Sequence, residues 1–271
     1  MRSFDVFEQI RPITIDFARL LLWFAILAIV FIPIERLVAL HPKRVFRAEI
    51  WSDIGYYFLN SLAPSAILVI PSAVLAGTVH FLLPETYYNW VGHWPPALHL
   101  VAVVIVGEVG FYWGHRWTHE IPALWRFHAV HHSAEQIDWL VNTRAHPVDM
   151  VFTRLCGLIP LHMLGLTQAA DGTPSIVVAL FIVISTAWGF LIHANVRLRM
   201  GPIESLIATP AFHHWHHTND EHRDRNYAAM LPCLDRLFGT FHLPRGWPTS
   251  YGVDDKLPAG LARQLIRPFR R

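Results

Sequence analysis

Charge is what this chain has least of. Only 15% of its 271 residues are Asp, Glu, Lys or Arg, against about a quarter in an average soluble domain. Hydrophobic residues supply 53% and the mean hydropathy is +0.33, so much of the surface must have lipid as its solvent. A formal net charge of +2 leaves no case for nucleic acid, which needs a basic face. Cysteine is nearly absent: Cys156 and Cys233 stand far apart without CxxC spacing, which excludes a disulfide framework and a zinc finger. HExxH is missing too. The His119-Glu120 pair runs into Ile121-Pro122-Ala123 with no second histidine, so the zinc-protease reading fails. The first apolar run follows a mixed stretch, Met1 to Arg19, and leads into Pro33 and Glu35 rather than a small-residue cleavage site, and it is expected to stay as an anchor.

What the chain does have is long apolar runs and 18 histidines. A spanning helix needs about 20 apolar residues. Runs from Thr14 to Ile34, Ile54 to Leu83, Leu98 to Gly114, Val148 to Leu166 and Pro174 to Ile192 meet or approach that length. Pro64 and Pro71 are expected to kink the second, and Arg154 and His162 place the fourth inside a bundle or at the interface. The expectation is an all-α, integral-membrane bundle of four to five membrane helices. Residues 1–271 form one domain, with an anchor and basic loop at 1–53, a catalytic core at 54–244 and a basic tail at 245–271. Basic residues set the orientation. Arg36, Lys43, Arg44 and Arg47 follow the first run, while the loops PETYYNWVGHWPP and TQAADGTP carry no Lys or Arg. The loop near residue 45, the stretch 115–146 and the C-terminal region then share the cytoplasmic side. The closing LARQLIRPFRR lies by the anionic inner leaflet or forms a solvated tail.

The histidines cluster on that side. His115 and His119 form HxxxH; His128, His131 and His132 form HxxHH; His213, His216 and His217 form a second HxxHH; His193 closes the last apolar run. On a helix, positions four apart differ by about 40° and three apart by about 60°. Each box therefore aims two imidazoles at one point, and the adjacent histidine aims about 100° away at a second. Imidazole suits several transition metals, but so many clustered histidines exceed what one ion can use. A histidine-bound non-haem iron oxygenase fits best, since it needs open positions for dioxygen beside an apolar pocket. The scattered His41, His80, His93, His99, His162, His222 and His242 are expected to be packing or hydrogen-bonding residues. Glu108 lies seven residues before His115 inside an apolar run. There it marks a functional candidate, expected to accept a hydrogen bond from a ligand's free ring N–H.

The sequences HRWTHEIPALWRFHAVHHS, TRAHPVD, TPAFHHWHHT and NYAAMLPCLDRLFGTFHLP resemble the fatty acid hydroxylase/sterol desaturase superfamily, across roughly Ile54 to Pro244. Other membrane desaturases space their first two boxes further apart; here they fit within 18 residues. The resemblance implies a transmembrane bundle with a histidine-rich cytoplasmic cap and two iron ions. The activity it implies is oxygen insertion into a lipid C–H bond, or desaturation of one, using O2. It makes His115, His119, His128, His131, His132, His193, His213, His216 and His217 ligands. Some members carry a partner four residues before His193, where this chain has Gly189, and His146 of the RAHP motif is the candidate replacement. His214, Asn226, Asp235 and Asp220 are candidate supporting residues around the metals. No haem- or flavin-binding segment is legible, which implies an external electron donor, a ferredoxin or a cytochrome b5-like protein. A desaturase or ether-lipid monooxygenase of the same superfamily is the alternative. A metal transporter fits less well, because these histidines bunch on one side, and a non-catalytic metal-binding protein is disfavoured by the intact boxes. The lipid itself, sterol, fatty acyl, glycerol ether or carotenoid-like, and the oligomeric state are not written in the residues.

Overall fold

A computed structural model describes residues 6–42, 46–168 and 175–270. Lys43 and Arg44 of the basic loop, residues 169–174 of the apolar hairpin tip and Arg271 lie outside the described residues. In chain order the helices are α1 (Val6–Leu37), α2 (Ile50–Leu82), α3 (Glu85–Gly92), α4 (Pro96–Glu120), α5 (Pro122–His132), α6 (Pro147–Met163), α7 (Ile176–His193), α8 (Pro210–His216), α9 (Cys233–Leu237) and α10 (Leu261–Ile266). Among the described residues there is no strand, only the isolated bridges Ala39–Val196 and Thr218–Tyr251.

Among the described residues four helices are long and apolar enough to cross a membrane: Thr14–Leu37 within α1, and α2, α4 and α7. The chain is an integral membrane protein. The fifth apolar run is α6, whose 17 residues reach about 25 Å, short of the roughly 30 Å hydrocarbon core. It packs against α4 and α2 instead. α2 continues as one helix past both Pro64 and Pro71.

Proline sets where the histidine-bearing helices begin. α4, α5 and α8 each start on a proline, at Pro96, Pro122 and Pro210, and α6 starts on Pro147. The first helical position suits it, since its missing N–H would have had no partner there. A proline also disfavours the helical conformation in the residue before it, so Ile121 is extended (φ −99°, ψ 112°). The chain turns between α4 and α5, and the boxes at its two sides face one another. Two glycines bring α4 onto α6. A Cβ on Gly110 would stand 2.2 Å from the Cys156 carbonyl oxygen, and one on Gly114 would stand 2.6 Å from the Cys156 Cβ. In lipid, where hydrophobicity does not drive helices together, such close approach is a main source of packing energy.

An aromatic cluster of Phe31, Tyr57, Trp139 and Phe190 ties α1, α2 and α7 to the short 3-10 turn Trp139–Thr143. Beside it, Arg144 is 1% exposed and reaches Asp53 and Glu49, while Arg47 pairs with Asp53 and, at 2.6 Å, with Asp138. This buried ion network pins the start of α2 to the segment 138–144. The Arg144 carbonyl of the same segment accepts the Nδ1–H of His131.

Candidate metal centre

Nine histidines converge as two adjacent groups. His115 and His119 from α4, His128 and His132 from α5, and His216 from α8 form one; His131, His193, His213 and His217 form the other. Within each group the potential ligand nitrogens lie within 4.8 Å of one another. The box geometry is realised in alternation. In α5 the four-apart pair His128 and His132 serves the first group and His131 the second. At α8 the four-apart pair His213 and His217 serves the second and His216 the first.

The hydrogen bonds fix which nitrogen of each ring is free. Nδ1–H donates to a carbonyl oxygen from His115 (Tyr227, 2.7 Å), His131 (Arg144, 2.9 Å), His193 (Gly189, 2.7 Å) and His216 (Arg225, 2.8 Å). It donates to a carboxylate from His128 (Asp149, 3.0 Å) and His119 (Asp224, 3.2 Å). A carbonyl cannot donate, so these rings carry their proton on Nδ1 and present a bare Nε2, the arrangement of metal-bound histidines. The Nε2 atoms of His119, His128, His132 and His216 are buried and meet no protein partner. In the other group the His193 Nε2 stands 2.9 Å from that of His213 and 3.2 Å from those of His131 and His217. The His131 and His193 lone pairs repel at that distance unless a cation lies between them. Ligand nitrogens about 2.1 Å from one ion stand about 3.0–3.4 Å apart. Burial, reinforced by neighbouring imidazoles, holds His132, His213, His216 and His217 well below the ordinary histidine range, and His131 at about 4. These rings are neutral at pH 7, as metal binding requires. The donor set therefore fits two nitrogen-liganded transition-metal ions.

His146 does not join either group. Its Nδ1 accepts the Val148 amide N–H at 3.1 Å and its Nε2 lies 3.1 Å from the Leu265 carbonyl oxygen. The proton is on Nε2, the opposite tautomer from the ligand set, and no lone pair is left for a metal. It caps α6 and fastens the C-terminal segment. Nor does Gly189 open a place for another ligand, because a Cβ there would stand 2.6 Å from the Asn142 Oδ1. His214 is likewise consumed at both nitrogens, by the Tyr251 hydroxyl (2.8 Å) and the Ala194 carbonyl (3.1 Å).

Glu108 does not take a ligand's ring proton as expected. Its carboxylate accepts the backbone N–H groups of Met230 (2.8 Å) and Leu231 (3.3 Å). Asp235 accepts those of Tyr227 and Ala228, at 2.7 and 3.0 Å. Asn226, at φ 60°, donates to the Phe212 and His242 carbonyls. All three shape the loop whose Tyr227 carbonyl accepts the Nδ1–H of His115. Asp220 caps its own turn, accepting from Thr218 and the His222 amide. Of the histidines expected to be bystanders, none enters the two groups. His99 bonds the Leu166 carbonyl, and His162 that of Leu158. His222 stacks on His242 at the surface, where with Asp220 and Glu221 it forms a solvent-facing cluster of possible ligand atoms.

Sequence reasoning missed Asp149, Asp224 and the ion-paired Arg144. Asp149 had a signal, lying in the first turn of an apolar helix three residues after His146. Asp224, among the alternating charges of the loop after α8, had none.

Fold and site together define an integral membrane protein built around a pair of buried, all-histidine groups that could each hold a metal ion. The fatty acid hydroxylase family model matches residues 100–240, and the chain belongs to that histidine-box family. An ornithine lipid hydroxylase of Rhizobium tropici is 37% identical over 212 residues, 77% of this chain and 59% of that protein. The alkylglycerol monooxygenase of Danio rerio is 34% identical over 147 residues, 54% of this chain and 31% of that protein. The human one is 27% identical over 187 residues, 68% and 40%. The chain thus spans less than two thirds of the length of each of these relatives. No solved structure matches it.

Proposed function

We propose that this protein is a di-iron oxygenase that hydroxylates a C–H bond of a membrane lipid, using O2 and two electrons from an external ferredoxin or cytochrome b5-like donor. The observation that carries the reading is the split of nine buried histidines into two adjacent groups whose Nε2 atoms converge. One ion could not use them all. When bound there, iron supplies O2 activation and C–H oxidation. His115, His119, His128, His132 and His216 would hold one ion, and His131, His193, His213 and His217 the other. Asp149 and Asp224 orient His128 and His119 and raise their basicity. The rings and the helices around them exclude water from the reacting volume.

A mostly apolar cavity of about 380 Å³ lies between α1 and α2, lined by Phe24, Ala28, Ile32, Ile54 and Leu140, with Glu35, Arg36 and Asp138 also on its wall, and reaching Asn195, two residues beyond His193. Its size suits part of an acyl chain, which supports a lipid held between the spans. With the orientation given by the basic loops, the site faces the cytoplasm. The similarity to an ornithine lipid hydroxylase favours a polar-headed acyl lipid as the first substrate to test. Resemblance to alkylglycerol monooxygenases makes an ether lipid the second.

Mass spectrometry of lipid extracts from cells with and without the chain tests the proposal. A lipid gaining one oxygen is expected; loss of two hydrogens would mark a desaturase instead. Iron near zero after anaerobic loading, or iron unchanged when His131 and His132 are both replaced by alanine, would sink the di-iron assignment.

A further inference from the structure

Two segments far apart in the chain form one lobe beside α4. Ala208 donates its amide N–H to the Met230 carbonyl at 3.0 Å, and the Arg236 guanidinium donates to the Ser205 hydroxyl at 2.9 Å. The lobe is fastened at Glu108, which accepts the Met230 and Leu231 amides. Its Leu231, Leu234 and Phe238 pack on Val109, Tyr112 and Trp113. Glu108 is seven residues before His115, so this attachment lies about 10 Å down α4 from the first histidine, within the helix assigned to the membrane.

The outer face of the lobe is apolar with a basic rim. Leu237 is 72% exposed and Leu206 62%, with Ile203, Ile207, Met200 and Leu198 exposed around them. The two acids within the segments 197–207 and 229–239, Glu204 and Asp235, are buried, whereas Arg197 and Arg236 are exposed. A large apolar surface left in water costs free energy and invites association. An apolar face with an arginine border and no exposed acid instead matches the boundary between headgroups and acyl chains in an anionic leaflet.

We propose that this lobe, residues 197–207 and 229–239, is seated in the bilayer interface. Leu206 and Leu237 enter the acyl region, and Arg197 and Arg236 meet anionic phospholipid headgroups. The inference rests on the membrane spans and not on the oxygenase reading. The lobe makes the histidine-rich cap continuous with the lipid surface along α4.

Cys233 offers a native probe, being exposed and four residues, one helical turn, from Leu237. In a Cys156→Ala variant, an environment-sensitive nitrobenzoxadiazole dye on Cys233 is read in nanodiscs of phosphatidylcholine with or without phosphatidylglycerol. The expected result is blue-shifted emission, quenching by a lipid carrying doxyl near its headgroup, and protection from aqueous iodide. Leu206→Glu with Leu237→Glu should return the dye toward water. Arg197→Gln with Arg236→Gln should abolish the deeper seating that phosphatidylglycerol produces. Water-like emission with full iodide quenching on both compositions overturns the proposal. So does protection from iodide without doxyl quenching, which would mark a second copy of the chain on this face. Depth insensitive to phosphatidylglycerol overturns the role given to the arginines.

Discussion

The two histidine groups use the same sequence device and are supported differently. Each HxxHH box contributes a four-apart pair to one group and a single ring to the other, in opposite senses, so neither group can be assembled without both boxes. The five-histidine group has side-chain carboxylates behind two of its rings, Asp149 on His128 and Asp224 on His119. The four-histidine group has only backbone carbonyls, of Arg144 and Gly189, and the Nδ1 atoms of His213 and His217 are buried without a protein partner. A carboxylate behind an imidazole fixes its tautomer and raises its basicity. If each group holds an ion as proposed, the first offers more candidate ligands and more basic ones, and it should hold its ion more tightly than the second.

The sharpest way to break that comparison is to strip one group and spare the other. His216→Ala should cut turnover by more than the roughly 10- to 100-fold typical of losing an outer partner. Iron should fall towards half of the wild-type content, read by elemental analysis of the purified protein. His217→Ala should spare the tighter ion and lose the weaker one. Equal and complete loss of iron in both variants would show that the groups do not bind independently.

The four-histidine group can be loosened through the buried ion network, because the carbonyl on His131 belongs to Arg144. Arg144→Met leaves Asp53 and Glu49 without one of their buried partners, a change that costs about 3–5 kcal/mol when such a pair is broken. A lowered melting temperature in detergent is expected, with the weaker iron lost first. Arg144→Lys should recover part of the stability but not the two-sided contact, since the ammonium lacks the guanidinium fork. Behind the first group the corresponding change is milder. Asp149→Ala should weaken iron binding about 10- to 100-fold with the fold intact. Asp149→Asn should fall between, because its amide oxygen still accepts from His128.

What was legible in the residues followed from periodicity and composition. Long apolar runs marked the four spans together with a fifth that is too short to cross, and three- and four-residue spacings marked the histidines that converge, because helix geometry converts spacing into direction. What was not legible depended on folding at a distance. Glu108 has the right heptad-like offset from His115, yet its carboxylate meets amides 122 residues further along. Helical phase gives the side a residue faces, not which partner the loop brings there. The carbonyls behind His115, His131, His193 and His216 carry no sequence signature at all, since every residue has one. Arg144 was read only as part of a motif, because a buried arginine is recognisable only once Asp53 and Glu49 have been folded against it.

His146 is where spacing and structure part, and it allows the smallest and most discriminating test. The RAHP motif and the glycine at 189 made it a reasonable tenth ligand. In the structure its Nδ1 accepts from the Val148 amide at the first turn of α6, and its Nε2 reaches the Leu265 carbonyl. A ring with its proton on Nε2 and its lone pair taken by a backbone N–H has nothing left to give a metal. Alanine there should cost what losing a helix cap costs, about 0.5–2 kcal/mol, seen as a small drop in melting temperature and looser protection of residues 261–269 in hydrogen exchange. Iron content should remain at the wild-type level. Asparagine, whose side-chain oxygen can also cap, should restore the melting temperature, which a lost ligand would not allow. If instead the alanine variant loses iron and asparagine does not recover it, His146 turns inward when metal binds, and the four-histidine group gains the fifth ring that would make the two groups alike.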